Sequence, residues 1–194
     1  MIRVAAIVEG YGDVQAVPAL VAKTAKALGQ PSIASDPIRA GEWKLLRRAG
    51  ILEKYLDLAA SREWDMILVV LDLEDDCARS ESDSARTRIE NWKSGRDLSV
   101  EIVFMVREYE TLFLWSPSCL SIPENTNLPA DPDQIRGAKE KVKSLTGRRY
   151  KETQDQLRYT QLLDLTKLYV SCRSYRRFCK ALIGVDYDVL NLMF

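Results

Sequence analysis

No histidine occurs anywhere in the 194 residues. Its absence excludes Ser-His-Asp and Cys-His catalysis and any histidine-ligated metal site. Acid–base chemistry then falls to carboxylates, lysine, tyrosine or metal-bound water. The four cysteines (Cys77, Cys119, Cys172 and Cys179) form no CxxC pair, which argues against a zinc site or a disulfide framework. Cys172 and Cys179 fall on one helical face and read as core residues. No apolar run approaches the roughly 20 residues that span a bilayer, and the chain enters a strand pattern directly instead of a signal-peptide layout, so a cytoplasmic protein with no membrane partner is expected. Internal repeats and low-complexity segments are missing too.

A net charge is also absent, because 28 Lys and Arg balance 28 Asp and Glu. The balance hides an asymmetry. Between Arg136 and Lys180 there are 13 basic residues against 4 acidic ones, so the remainder of the chain is equally acidic. An acidic part joined to a basic part suits a metal site working beside a polyanion, although a solvated helical surface would show the same pattern. At 46% hydrophobic and 29% charged residues, the composition is that of a folded domain of ordinary size.

The pattern along the chain alternates strands with helices. Ile2 to Val8 is continuously apolar apart from Arg3, which predicts an interior parallel strand, and Glu9-Gly10-Tyr11-Gly12-Asp13 reads as a tight turn. A helix to about Leu28 follows, with Asp13 as a candidate cap and Pro18 early inside it. A short second strand is expected near Ile33 or Ile38, then a helix from about Gly50 to Arg62. Met66 to Leu71 is the next strand, Ser84 to Lys93 an exposed amphipathic helix, and Val100 to Val106 a further strand. This order predicts an α/β fold with a doubly wound, mostly parallel sheet whose ligands gather at the carboxyl ends of the strands. The proline-containing stretch Ser116 to Ala130 marks a boundary between residues 1–115, the expected catalytic domain, and residues 116–194, an expected all-helical basic subdomain. In the second part, Asp131-Pro132-Asp133-Gln134 should open a helix that Gly147 ends, followed by helices over about Asp155–Tyr169 and Ser174–Ile183.

The chemistry concentrates where apolar runs end in acid. Val69-Val70-Leu71 passes into Asp72-Leu73-Glu74-Asp75-Asp76, and Glu9 and Glu110 likewise fall at or just beyond strand ends. Mg²⁺ needs only two or three convergent carboxylates because it keeps several waters, and two such ions would stabilise the attacking and leaving oxygens of phosphodiester cleavage. One acidic strand end is most simply a solvated loop; three in step favour a site. Arg148, Arg149 and Lys151 beside Tyr150, together with Arg173, Arg176, Arg177 and Lys180 at helical spacing, are candidates to track a nucleic-acid backbone, against a solvated helix face or a protein-docking surface. Trp43, Trp64, Trp92, Trp115 and Tyr109 read as packing residues.

Val8-Glu9-Gly10 with Asp13, followed by Leu71-Asp72-Leu73-Glu74, resembles the TOPRIM domain of topoisomerases, primases and OLD-family nucleases. The chain is more similar still to a small stand-alone TOPRIM-like family of bacterial proteins of unknown function. That likeness rests on Arg107-Glu108-Tyr109-Glu110 before Phe113-Leu114, on Ile135-Arg136-Gly137-Ala138-Lys139, on Gly147-Arg148-Arg149-Tyr150-Lys151 and on Ser174-Tyr175-Arg176-Arg177-Phe178. The resemblance implies a TOPRIM-like sheet and a Mg²⁺- or Mn²⁺-dependent nuclease that cuts or nicks DNA, with one or two ions. Glu9 would be the general acid/base or a metal ligand and Asp72 the principal ligand. Glu74 stands where the family has aspartate, one methylene longer, with Asp75 or Asp76 as alternatives. Glu110 resembles the extra glutamate that helps hold a second ion, and Lys139 a late lysine that neutralises a phosphoryl oxygen. OLD nucleases fuse TOPRIM to an ABC-type ATPase, whereas this chain has no GxxxxGK[ST] loop, so the resemblance implies an ATPase supplied in trans and a role in phage or plasmid defence.

Two other readings compete. In one, the fold is a non-catalytic partner-binding or regulatory module with a vestigial or structural cation site. In the other it is a receiver-like phospho-acceptor domain; that fold wants a lysine ending a final strand, and Lys139 falls in a predicted helix.

Overall fold

The computed structural model describes residues 1–34, 37–123 and 125–194. Among the described residues five strands, all parallel, form one sheet: β1 (Ile2–Val8), β2 (Ser32–Ala34), β3 (Ile38–Arg39), β4 (Met66–Leu73) and β5 (Ser99–Val106). β1 pairs with β2 and β3 along one side and with β4 on the other, and β4 pairs with β5. After β1 the chain therefore builds outward to β2 and β3, then crosses back to the opposite side for β4. The order of the strands reverses between β1 and β4, and their carboxyl ends flank a crevice of the kind where open α/β sheets bind ligands.

The two-residue period of the strands divides the core into two layers. Val4, Ala6 and Val8 with Leu68 and Val70 pack on α1 (Asp13–Ala27). Ala5 and Ile7 with Ile67, Val69 and Leu71 pack on α2 (Trp43–Leu46), α3 (Ile51–Ala60) and α4 (Ala78–Lys93). Both faces are covered, so the strands carry continuous apolar runs instead of alternating ones. On α3 the buried residues are Leu52, Leu56 and Ala59, while Leu58 stays exposed.

The α1 side also receives the rest of the chain: α5 (Thr111–Trp115), α6 (Ala138–Thr146), α7 (Leu157–Leu162), α8 (Leu165–Ser171), α9 (Arg173–Ile183) and α10 (Tyr187–Asn191). Val142, Tyr159, Leu168, Tyr175, Phe178 and Leu190 join one core with α1 and the sheet. Thr24 and Tyr175 close it with a buried hydroxyl pair at 2.9 Å. No helix among the described residues is long and apolar enough to cross a membrane.

Several boundaries depart from the pattern-based expectation. α4 begins six residues earlier than Ser84, and the four-residue α2 had no visible signal. Asp131 does cap a turn, accepting the Asp133 N–H at 3.0 Å, but this is a short 3₁₀ turn (Pro132–Gln134), not the start of a long helix. Ile135 then turns extended to pack on the core, and Gly137 takes φ 70°, so α6 starts only at Ala138. The helix expected over residues 155–169 breaks where Leu163 leaves helical geometry and Asp164 caps α8 by accepting the Lys167 N–H. Lys23 on α1 donates to the carbonyls of Gln161 and Leu163 at 2.7 and 2.6 Å, satisfying the end of α7 from outside. Asp13 is the first residue of α1, preceded by Gly12 as its cap.

Candidate functional site

Glu9 lies one residue beyond β1, and Asp72 is the penultimate residue of β4. The parallel register, with Val8 opposite Val70, brings both to the same rim of the sheet. The Asp72 backbone N–H donates to Glu9 Oε2 at 3.2 Å. Three further acids close on this pair. Asp13, at the head of α1, is buried and accepts the Gly10 N–H at 2.8 Å and Gln156 Nε2 at 2.9 Å. Glu110, just before α5, is buried and accepts the Tyr150 hydroxyl at 2.8 Å. Glu108 accepts the Lys139 backbone N–H at 2.9 Å.

None of these five carboxylates forms an ion pair among the described residues. Each is met by a neutral donor except Asp72, whose side chain has no such donor. Burial, followed by the charges of Asp13, Glu9, Glu110 and Glu108, pushes the Asp72 carboxyl well above its ordinary value, although the residue keeps some surface exposed. Burial raises Glu9 to about 7 against the opposing Asp72 N–H, and raises Glu110 to about 7 against the Tyr150 hydrogen bond. Asp13 moves up for the same reason. Buried carboxylates whose mutual repulsion raises their pKa in a cleft make a candidate functional site.

The strand-end expectations for Glu9, Asp72 and Glu110 correspond to one cluster, with Glu110 on the Asp13 side of it. Glu74 and Asp76 are exposed on the loop after β4 and line the same cavity as Glu9 and Asp72; the Glu74 charge helps to raise Glu9, and Arg47 faces Asp76 at 3.3 Å. Among the described residues no group of three acidic or cysteine side chains is arranged to hold a metal ion; the contact that joins Glu9 to Asp72 runs through the Asp72 backbone N–H. Lys139 is on α6 with its ammonium on Glu152; burial works against its charge, and Glu152 outweighs that and raises its pKa.

Sequence reasoning missed Glu108, Tyr150 and Gln156 as members of the site and named Asp13 as a candidate cap and as part of the TOPRIM resemblance, without a role in the site. The signal for Asp13 was a second acid at the far end of the turn that Glu9 opens; Tyr150 and Gln156 come from a distant segment and left none. Glu152–Gln156 forms a π-helical turn, a form frequent at functional sites, and it presses against the turn after β1. A Cβ on Gly12 would lie 1.8 Å from Gln156 Oε1. Gly12→Ala is therefore expected to displace Gln156 from Asp13 and to cost about 1–2 kcal/mol in urea unfolding. The cost should shrink in a Gln156→Ala background, because the two effects share one contact.

The basic candidates divide into two groups. Arg148, Arg149 and Lys151 are exposed and their side chains have no ion pair among the described residues. The α9 stripe is held internally. Arg177 pairs with Glu101 at 2.9 Å and Lys180 with Asp186 at 2.6 Å. Arg176 donates to the carbonyls of Tyr169 and Val170, and Arg173 stands 3.9 Å from Asp133. Beside them Arg107 takes a left-handed backbone, φ 69°, immediately after β5, and its guanidinium bridges Asp75 and the carbonyls of Glu74 and Asp133. Strain of this kind clusters at functional sites.

A family model described as a domain of unknown function (DUF4276) matches residues 8–183, which includes every member of the cluster. No curated protein and no solved structure matches the chain significantly.

Proposed function

For this chain, which belongs to the DUF4276 family, we propose a divalent-cation-dependent phosphodiesterase that cuts or nicks DNA on a TOPRIM-like sheet. The observation that carries the reading is the Glu9–Asp72 pair: two carboxylates on adjacent strand ends, at the point where strand order reverses, with no ion-pair partner among the described residues. Their mutual repulsion suits a hydrated Mg²⁺ or Mn²⁺, which takes few protein oxygens. A cation bound there would offset charge on a phosphate and acidify water. Glu9, raised to about 7, can exchange a proton near neutral pH. Asp13 and Glu110 add negative charge behind the pair, and Tyr150 and Gln156 fix their orientation. Lys139 would have to leave Glu152 to reach a phosphoryl oxygen. The reading extends to an ABC-type ATPase acting in trans and to a role in phage or plasmid defence.

The test is incubation with supercoiled plasmid and Mg²⁺ or Mn²⁺, with and without an ATPase encoded beside the gene. Nicked or linear product is expected. Intact plasmid under every condition would remove the enzyme reading.

The lack of a three-acid group among the described residues favours a second reading, a non-catalytic partner-binding module on the same fold. Titration calorimetry separates the two: the enzyme needs Mn²⁺ binding that disappears in Asp72→Asn, and the module does not.

A further inference from the structure

Three adjoining cavities surround the loop that follows β4. One, of about 220 Å³, is lined by Glu9, Asp72 and Arg47. Another, of about 240 Å³, is lined by Glu108, Arg136 and Gly137. The third, of about 400 Å³, lies over Leu73, Phe104 and Val106 and is lined also by Arg79 and Arg173. Glu74 and Asp75 wall all three, so together they make a groove across the carboxyl rim of the sheet.

Each cavity is lined by guanidinium groups: Arg47 in the first, Arg107 and Arg136 in the second, and Arg79, Arg107 and Arg173 in the third. Arg79 is exposed and has no ion pair among the described residues. The Arg173 side chain is 74% exposed and no closer than 3.9 Å to Asp133. Arg136 is 76% exposed and shares Asp75 with Arg107. Exposed contacts of this kind contribute little stability and can be exchanged for phosphate oxygens. When Arg136 turns to a phosphate, Asp75 keeps Arg107 and Asp76 keeps Arg47, which leaves Glu74 as the acid of this loop with no ion pair among the described residues.

We infer that this groove binds an unpaired nucleic-acid strand, with phosphates on Arg79, Arg136 and Arg173 and one base in the cavity over Leu73, Phe104 and Val106. The cavity has the size of a small-molecule pocket, and its apolar floor suits the face of a base. A base held in a duplex cannot enter such a pocket without leaving the stack. The strand would then pass the Glu9–Asp72 pair one cavity away. This deepens the proposed function and rests on it for the fate of the strand, whereas the binding itself is independent of cleavage.

The experiment is fluorescence anisotropy with labelled single-stranded DNA, single-stranded RNA and duplex DNA of one sequence, with Ca²⁺ present. At least one single strand is expected to bind about tenfold or more tightly than the duplex, and the better of the two identifies the sugar. Replacing Arg79, Arg136 and Arg173 together by Gln should weaken binding at least about tenfold and reduce the salt slope by about 2, at roughly 0.7 per phosphate contact. A charge-matched Lys26→Gln, Lys54→Gln, Arg62→Gln control should stay within about twofold. All three groove positions are exposed, and unchanged thermal melts would show that the variants remain folded. Duplex bound as well as single strand, undiminished affinity in the groove variant, or a loss confined to an Arg148, Arg149, Lys151 variant would each overturn the assignment. Strand binding without plasmid cleavage removes the phosphodiesterase reading and leaves the groove standing.

Discussion

Asp72→Asn is expected to lower cation-dependent plasmid cleavage by about a thousandfold, while the variant melts at a higher temperature than the parent in the absence of metal. The two effects have one cause. Among the described residues the Asp72 carboxylate has no basic side chain or hydrogen-bond donor on it, and burial together with the charges of Asp13, Glu9, Glu110 and Glu108 pushes its pKa well up. Ionising it costs folding free energy that an asparagine, equal in shape and neutral, does not incur. The same charge is what would hold a divalent ion. Stability gained together with activity lost is the signature of a site kept strained for function. A structural role predicts the opposite, a lower melting temperature with activity following the folded fraction. Gel analysis of plasmid forms and a thermal melt on the same preparation decide between them. Undiminished cleavage by the variant would sink the assignment of Asp72 as the principal ligand.

The second large effect concerns Glu110 and pH. Its folded pKa lies near 7 because of burial, against an ordinary value of 4.5. Below pH 4.5 the group is protonated in both the folded and unfolded chain and imposes no penalty. As pH rises from 4.5 to about 7 the unfolded chain releases its proton first, so stability falls through that window and levels off above it. At 1.36 kcal/mol per unit, the loss is about 3 kcal/mol. Glu9 shifts in the same direction over the same window. Glu110→Gln keeps an acceptor for the Tyr150 hydroxyl and removes the charge, so at pH 8 it should be more stable than the parent by about 3 kcal/mol and at pH 4 indistinguishable from it. Urea unfolding at the two pH values measures the difference. Ion pairs elsewhere, such as Glu53 with Arg88, have the opposite pH dependence, but they are common to both proteins and cancel. In the parent, Mn²⁺ should raise the melting temperature more at pH 8 than at pH 5.5, since ligand binding stabilises the folded state and competes with the protons. Equal pH dependence in parent and variant would show that Glu110 ionises freely.

The amino-acid order alone determined the parts that depend on neighbours along the chain. The runs Val4–Val8, Ile67–Leu71 and Ile102–Val106 are apolar throughout because both faces of a covered parallel sheet are buried, and that pattern is visible without coordinates. Glu9, Asp72 and Glu110 stood out because each falls at or just beyond the end of such a run. Only the tertiary structure decided which acids meet. Asp13 and Glu108 join the cluster through strand order and register, and Tyr150 and Gln156 reach it from over a hundred residues beyond Glu9. It also decided the fate of the basic stripe on α9, whose helical spacing was legible but whose partners Glu101, Asp133 and Asp186 were not. A periodicity records which face a residue occupies, because it arises from local backbone geometry. The charge that will stand opposite depends on how distant segments pack, and local pattern carries no record of that.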